Sequence, residues 1–226
     1  MKLGGVPVQA LIFDFDGVLA DTEELHCAAL QAVATSVGAP LSRTEYFAGF
    51  LGLPDRACLT VLCDRAGLTP DPPTLDRLVA EKRAQYARLS PGAAMYCGAA
   101  DTIRWLHPHF LLAIASGAFR DEIEPVLRHA EVHSLFAAIV GAEDVRAGKP
   151  APDPFLHALQ EVNRRLGSSL SAADCVVIED SPLGLMAARA AGMRCIGVTT
   201  HNDSAALMLA DAVIEHVNEL HPEALR

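Results

Sequence analysis

Short apolar runs alternate with stretches of helical spacing along most of this chain, and that alternation constrains the fold more than any other feature. Val8 to Phe15, Leu111 to Ala115, Phe136 to Val140, Cys175 to Ile178 and Cys195 to Val198 are predominantly apolar and far too short to cross a membrane. Runs of this kind suit strands buried on both faces. Between them, Pro154 to Leu166 and Pro182 to Ala191 carry apolar residues at helical spacing. The resulting βαβ series predicts an α/β protein: a doubly wound, Rossmann-like parallel sheet with right-handed crossovers and a site beyond the carboxyl ends of the strands. Asp211 to Ile214 is a candidate for one more short strand.

The segment 20–90 interrupts the series. It has no convincing strand run, and its periodic stretches, Leu25 to Val37, Arg56 to Ala66 and Thr74 to Leu89, are separated by Gly and Pro. An all-helical insertion is expected there, ending near Pro91-Gly92. This divides the chain into an α/β catalytic core of residues 1–19 and 91–226 and a small helical cap of residues 20–90, expected to act as a lid over the strand ends.

Composition narrows the partners. A chain of 226 residues with 51% apolar content can bury a real core. Its formal charge of −10 and the lack of a Lys/Arg-rich block argue against a nucleic-acid surface, so an anionic substrate must be bound locally. The six cysteines form no CxxC pair and sit in apolar contexts, as reduced core thiols would. The N-terminal stretch lacks the architecture of a signal peptide, and no run of 18 apolar residues occurs. The expectation is a soluble cytoplasmic protein, a monomer or weak homodimer, with neither nucleic acid nor membrane as partner.

The chemistry is written in the residues that follow each predicted strand. Asp14 and Asp16 close the first run, and residues two apart on a strand point the same way, which would send both carboxylates into one crevice. Such a pair calls for a metal, an acid/base couple or both; Asp16-Gly17 is also an ordinary turn signal. Ser116-Gly117 follows the second core strand, where a hydroxyl and backbone N–H groups could cradle an anion or simply cap a helix. Lys149 lies in the proline-stiffened loop Gly148-Lys149-Pro150-Ala151-Pro152, so holding it in place costs little entropy, although most lysines are solvated. Glu179-Asp180 ends an apolar strand, where buried carboxylates need a partner such as Mg²⁺; the alternative is that they cap the helix opening at Ser181-Pro182.

Taken in order, these features resemble the haloacid dehalogenase superfamily, in the subgroup of small phosphatases and β-phosphoglucomutases with a helical cap after the first strand. The matching stretches are Asp14-Phe-Asp-Gly-Val-Leu-Ala-Asp21-Thr22, Ala115-Ser116-Gly117, Gly148-Lys149-Pro-Ala-Pro-Asp153 and Val177-Ile-Glu179-Asp180-Ser181-Pro-Leu-Gly184. The resemblance implies a Mg²⁺-dependent phosphatase acting on a small phosphorylated metabolite through an aspartyl-phosphate. In that scheme Asp14 is the nucleophile and Asp16 the acid/base. Asp14, the Asp16 carbonyl and Asp180 hold Mg²⁺, with Glu179 ligating it or holding a bound water. Ser116, the Gly117 N–H and Lys149 complete a phosphate cradle.

Asp16 also separates subgroups: a dehalogenase needs no acid for a halide and looks different at that position. A phosphonate hydrolase of the superfamily uses a cap lysine, and Lys82, the only lysine in the cap, reads as part of a solvated helix. A β-phosphoglucomutase remains the main alternative. His26 matches its histidine, but Leu51 stands where the mutase has lysine and Asp55 where it has arginine, with Arg56 one residue late. An acidic Asp55 facing a sugar phosphate would repel it, which favours a phosphatase. His26, Arg56 and Arg120 are the candidates for substrate contact. A catalytically silent binding protein on the same fold is the remaining alternative, opposed by the presence of every expected residue.

Overall fold

The computed structural model describes residues 7–225. The chain forms two compact units, one running to Asp21 and resuming at Ala94, the other spanning Thr22–Ala93. The first unit is built on six strands: β1 (Ala10–Phe13), β2 (Leu111–Ala115), β3 (Phe136–Val140), β4 (Cys175–Glu179), β5 (Arg194–Val198) and β6 (Ala212–Ile214). All adjacent pairs are parallel, in the order β3-β2-β1-β4-β5-β6. The chain therefore steps outward from β1 on one side, then returns to start β4 on the other, making β1/β4 the topological switch point.

The alternation of strand side chains sorts the sheet into two faces. Ala10, Ile12, Ala113, Ala115, Ala138, Val140, Cys175, Val177 and Cys195 join one core cluster with helices α7 (Asp153–Leu166) and α8 (Pro182–Ala190). Leu11, Phe13, Leu112, Ile114, Val176 and Ile178 are equally buried and belong to the opposite face. Burial on both faces explains why these strands read as continuous apolar runs. Helices α5 (Ala99–Leu106), α6 (Arg120–His129) and α9 (Pro222–Leu225) complete this unit.

The second unit is helical: α1 (Glu23–Ser36), α2 (Arg43–Gly49), α3 (Asp55–Arg65) and α4 (Pro72–Leu89). Leu30, Val33, Tyr46, Phe50, Leu59, Leu62 and Leu78 share its core. Asp71 starts α4 by accepting the Thr74 N–H at 2.9 Å, with Pro72 in the first turn where its missing N–H costs nothing. Helix α2 stands between the first two expected helices; at seven residues it is too short to show a period, and its start is set by the Ser42–Glu45 capping box.

The first strand is shorter than its apolar run suggests. It stops at Phe13, and the Phe15 carbonyl then accepts from the N–H groups of Val18, Leu19 and Ala20, folding the chain into a tight loop. Asp14 and Asp16 thus lie beyond the strand, where two-residue alternation no longer decides their direction.

Candidate active site

Strand register assembles the acidic centre. Phe13 pairs with Ile178, so the next residues, Asp14 and Glu179, emerge side by side at the switch point, followed by Asp180. The Asp14 N–H still donates to the Ile178 carbonyl at 2.9 Å, fixing where its side chain begins. Carboxylate oxygens of Asp14, Glu179 and Asp180 lie within 4.8 Å of one another, and all three residues are buried. Asp16 is half-buried on the following loop, in a bridge with Ala20.

Lys149 enters this cluster from the loop after β3. Its Nζ lies 2.8 Å from Asp14 Oδ2 and 2.7 Å from Glu179 Oε1, with the ammonium 5.2 Å from the Phe155 ring centroid beneath it. Burial disfavours the charged ammonium, but the two carboxylates outweigh it and hold the Lys149 pKa above its ordinary value. For Glu179 the balance is reversed: burial dominates and, despite Lys149, its pKa is raised. The Asp180 pKa is also raised, chiefly by burial and against a hydrogen bond from His201. Three buried carboxylates share one ammonium, and the raised pKa values of Glu179 and Asp180 show that Lys149 alone does not compensate them. That deficit, together with the oxygen-only donor set, fits a hard divalent cation.

Glu179 is held at both oxygens. Oε1 accepts from Lys149, while Oε2 accepts from the Ser181 N–H at 2.7 Å and the Ser181 hydroxyl at 2.9 Å. Ser181 Oγ in turn caps α8 by accepting from Gly184 N–H at 3.1 Å. The helix cap is therefore Ser181, leaving Glu179 to orient the lysine. Space for that carboxylate depends on Gly184, since a Cβ there would stand 1.6 Å from Glu179 Oε1. Gly184→Ala is expected to destabilise the protein by about 3 kcal/mol through this overlap, read by urea unfolding. A variant as stable as the wild type would show that Glu179 can be displaced at no cost.

Ser116 and Gly117 follow β2. Ser116 is buried, and its hydroxyl oxygen accepts the Ala118 N–H at 3.2 Å, which leaves the hydroxyl proton to be donated elsewhere. A Cβ on Gly117 would meet nothing within 4 Å, so this glycine is not demanded by crowding in the chain itself. Arg120 is tied down: its Nε donates to Asp144 Oδ2 at 2.8 Å, and Asp144 also accepts from the Gly141 N–H.

The remaining predicted residues lie in the helical unit. Arg56 pairs with Asp76 on an exposed surface. His26 Nδ1 lies 2.7 Å from Lys82 Nζ, and its ring stacks on Tyr86 at 4.4 Å between centroids. Lys82 corrects an expectation. It is only 2% exposed and pairs with Asp55 at 2.9 Å, because Leu78, Lys82 and Tyr86, spaced four residues apart, form the inner stripe of α4. Asp55 is accordingly neutralised, so its charge no longer argues by itself against a second phosphate.

Sequence reasoning passed over two residues. After β5, His201 Nδ1 lies 3.1 Å from Asp180 Oδ2, and Asn202 Nδ2 donates to the Asp180 main-chain carbonyl at 3.0 Å. The polar run Thr199-Thr200-His201-Asn202 also follows an apolar strand, and the same strand-end rule would have found it. Of the six cysteines, Cys97 is exposed and the other five are buried, all as free thiols. Among the described residues, no helix is long and apolar enough to cross a membrane.

The chain is similar to known proteins over most of its length. Residues 11–198 match the family model described as haloacid dehalogenase-like hydrolase. A probable pseudouridine-5'-phosphatase of Drosophila melanogaster is 34% identical over 195 residues, covering 83% of this chain and 80% of that protein. A phosphorylated carbohydrates phosphatase of Thermotoga maritima is 30% identical over 213 residues, covering 91% and 93%. Among solved structures, CbbY from Rhodobacter sphaeroides in complex with phosphate superposes with a TM-score of 0.80 at 26% identity, covering 94% of this chain and 96% of that one.

Proposed function

The chain belongs to the haloacid dehalogenase-like hydrolase family and is a phosphatase of that family, and from this premise we propose that it hydrolyses small phosphorylated metabolites, sugar phosphates foremost, with Mg²⁺ as cofactor. The observation that carries the reading is the buried cluster of Asp14, Glu179 and Asp180 with Lys149 between two of its members.

Asp14 Oδ attacks phosphorus in line with the leaving oxygen, forming an aspartyl-phosphate as the bond to the leaving alcohol breaks. Asp16 gives its proton to the departing oxygen. It then takes a proton from the water that attacks the aspartyl-phosphate, which releases phosphate and restores both carboxyl groups. Lys149 lies against Asp14 and would offset charge where phosphate oxygens approach, held there by Glu179. The Ser116 hydroxyl proton and the Gly117 N–H would donate to the same oxygens. Asp14, Asp180 and the Asp16 carbonyl would hold Mg²⁺, which when bound neutralises phosphate oxygens as a Lewis acid. Substrate choice is assigned to the helical segment, with His26 and Arg56 as candidate contacts and Arg120 as a third on the core.

An aryl phosphate assay tests the reading. Hydrolysis is expected with Mg²⁺ and not after chelation, and saturating Mg²⁺, at about a hundred times its dissociation constant, should stabilise the folded protein by about 2.7 kcal/mol. No turnover with or without Mg²⁺ would favour a silent binding protein. A panel of sugar phosphates, phosphoglycolate and nucleotides then identifies the substrate class; conversion of glucose 1-phosphate to glucose 6-phosphate without phosphate release would overturn the hydrolase reading in favour of a mutase.

A further inference from the structure

The carboxyl end of β5 overhangs the metal-side carboxylate. In the parallel β4/β5 ladder Glu179 is level with Gly197, so the residues after β5 rise beside Asp180. Two of them reach it from different directions: His201 contacts the Asp180 carboxylate, and Asn202 the Asp180 main-chain carbonyl. Gly17, at a φ of +76°, closes the third side; a Cβ there would come 2.1 Å from Asp180 Oδ2 and 3.0 Å from His201 Nδ1. Side chain and backbone of Asp180 are thus both fixed, at a position where a carboxylate with two free torsions could otherwise turn away from Asp14. His201 and Asn202 are not core filling: both are half-buried and their loop borders an open cavity lined also by Thr199, Thr200 and Glu215.

We propose that His201 and Asn202 are positioning residues that hold Asp180 in the orientation for divalent-metal binding, His201 by donating its Nδ1–H to Oδ2 and Asn202 by donating to the main-chain carbonyl. This rests on reading Asp180 as a metal ligand. Hydrogen-bond partners of metal-binding carboxylates are worth about tenfold to a hundredfold in metal affinity, because they remove the cost of ordering the ligand at the moment of binding.

The test is titration of the full chain with Mn²⁺, free ion being read by electron paramagnetic resonance, alongside Mg²⁺-dependent hydrolysis. His201→Ala is expected to weaken Mn²⁺ binding about tenfold or more, and Asn202→Ala about tenfold. Asparagine places its Nδ2 where His201 carries Nδ1, so His201→Asn should restore binding close to the wild-type value. At saturating metal the substrate KM should not change in any variant. Wild-type Mn²⁺ affinity in His201→Ala, or equal weakening in His201→Asn and His201→Ala, would overturn the assignment. If His201→Ala does not fold, Asn202→Ala decides: an affinity equal to wild type overturns it. Failure of the wild type itself to bind Mn²⁺ would overturn the metal reading first, and this one with it.

Discussion

Asp14→Asn is expected to abolish phosphate-ester turnover, with a loss of about 10⁴-fold or more in kcat, while the protein remains folded. The amide is nearly isosteric and can still accept the Phe15 N–H, which Asp14 Oδ1 does at 2.7 Å. It cannot attack phosphorus to form an acyl phosphate, so both chemical steps are lost together. Folding survives because two effects oppose each other. The substitution removes the ion pair with Lys149, but it also removes one of three crowded buried carboxylates, relieving repulsion with Glu179 and Asp180. The midpoint of thermal unfolding should therefore move by no more than a few degrees. Steady-state assay with an aryl phosphate and a thermal melt on the same preparation check both halves; measurable wild-type-like turnover would remove Asp14 as the nucleophile.

Lys149→Met is expected to have the larger effect on stability, a loss of about 3–5 kcal/mol in metal-free buffer at neutral pH. Methionine replaces the stem over Phe155 but leaves Asp14 and Glu179 without the ammonium that lies 2.8 and 2.7 Å from them. The pH dependence has a definite sign. Glu179 and Asp180 have folded-state pKa values raised by burial even with Lys149 present, and removing the ammonium raises that of Glu179 further. Between the ordinary carboxylate pKa and the raised one, the folded state binds more protons than the unfolded state, so stability falls as pH rises through that window. The deficit of Lys149→Met should accordingly shrink toward pH 5, and Mg²⁺ should recover part of it by supplying the missing positive charge. Urea unfolding at two pH values, with and without Mg²⁺, measures this. A loss below about 1 kcal/mol would mean that the carboxylates do not depend on the lysine.

Local pattern made the core elements legible. The run Leu111 to Ala115 is β2 and Phe136 to Val140 is β3 without adjustment, since a strand buried on both faces leaves its whole length apolar. The first run misled for the same reason: Phe15 is buried too, but in a tight loop rather than a strand, its carbonyl accepting from the N–H groups of Val18, Leu19 and Ala20. Lys82 shows the converse limit. A lysine on an amphipathic helix is ordinarily solvent-facing, and only the packing of α4 places it inward against Asp55 and His26.

The sequence by itself determined the α/β class, the helical insertion and the order in which acid, hydroxyl, lysine and acid appear at successive strand ends. Each of these follows from periodicity and turn chemistry acting over a few residues. Tertiary structure alone decided which of those ends meet. The β1/β4 register sets Asp14 beside Glu179, the loop after β3 delivers Lys149 between them, and the β5 end brings His201 and Asn202 onto Asp180. Strand order and register are settled by how two buried faces pack, and residues far apart in the chain carry no local mark of that outcome.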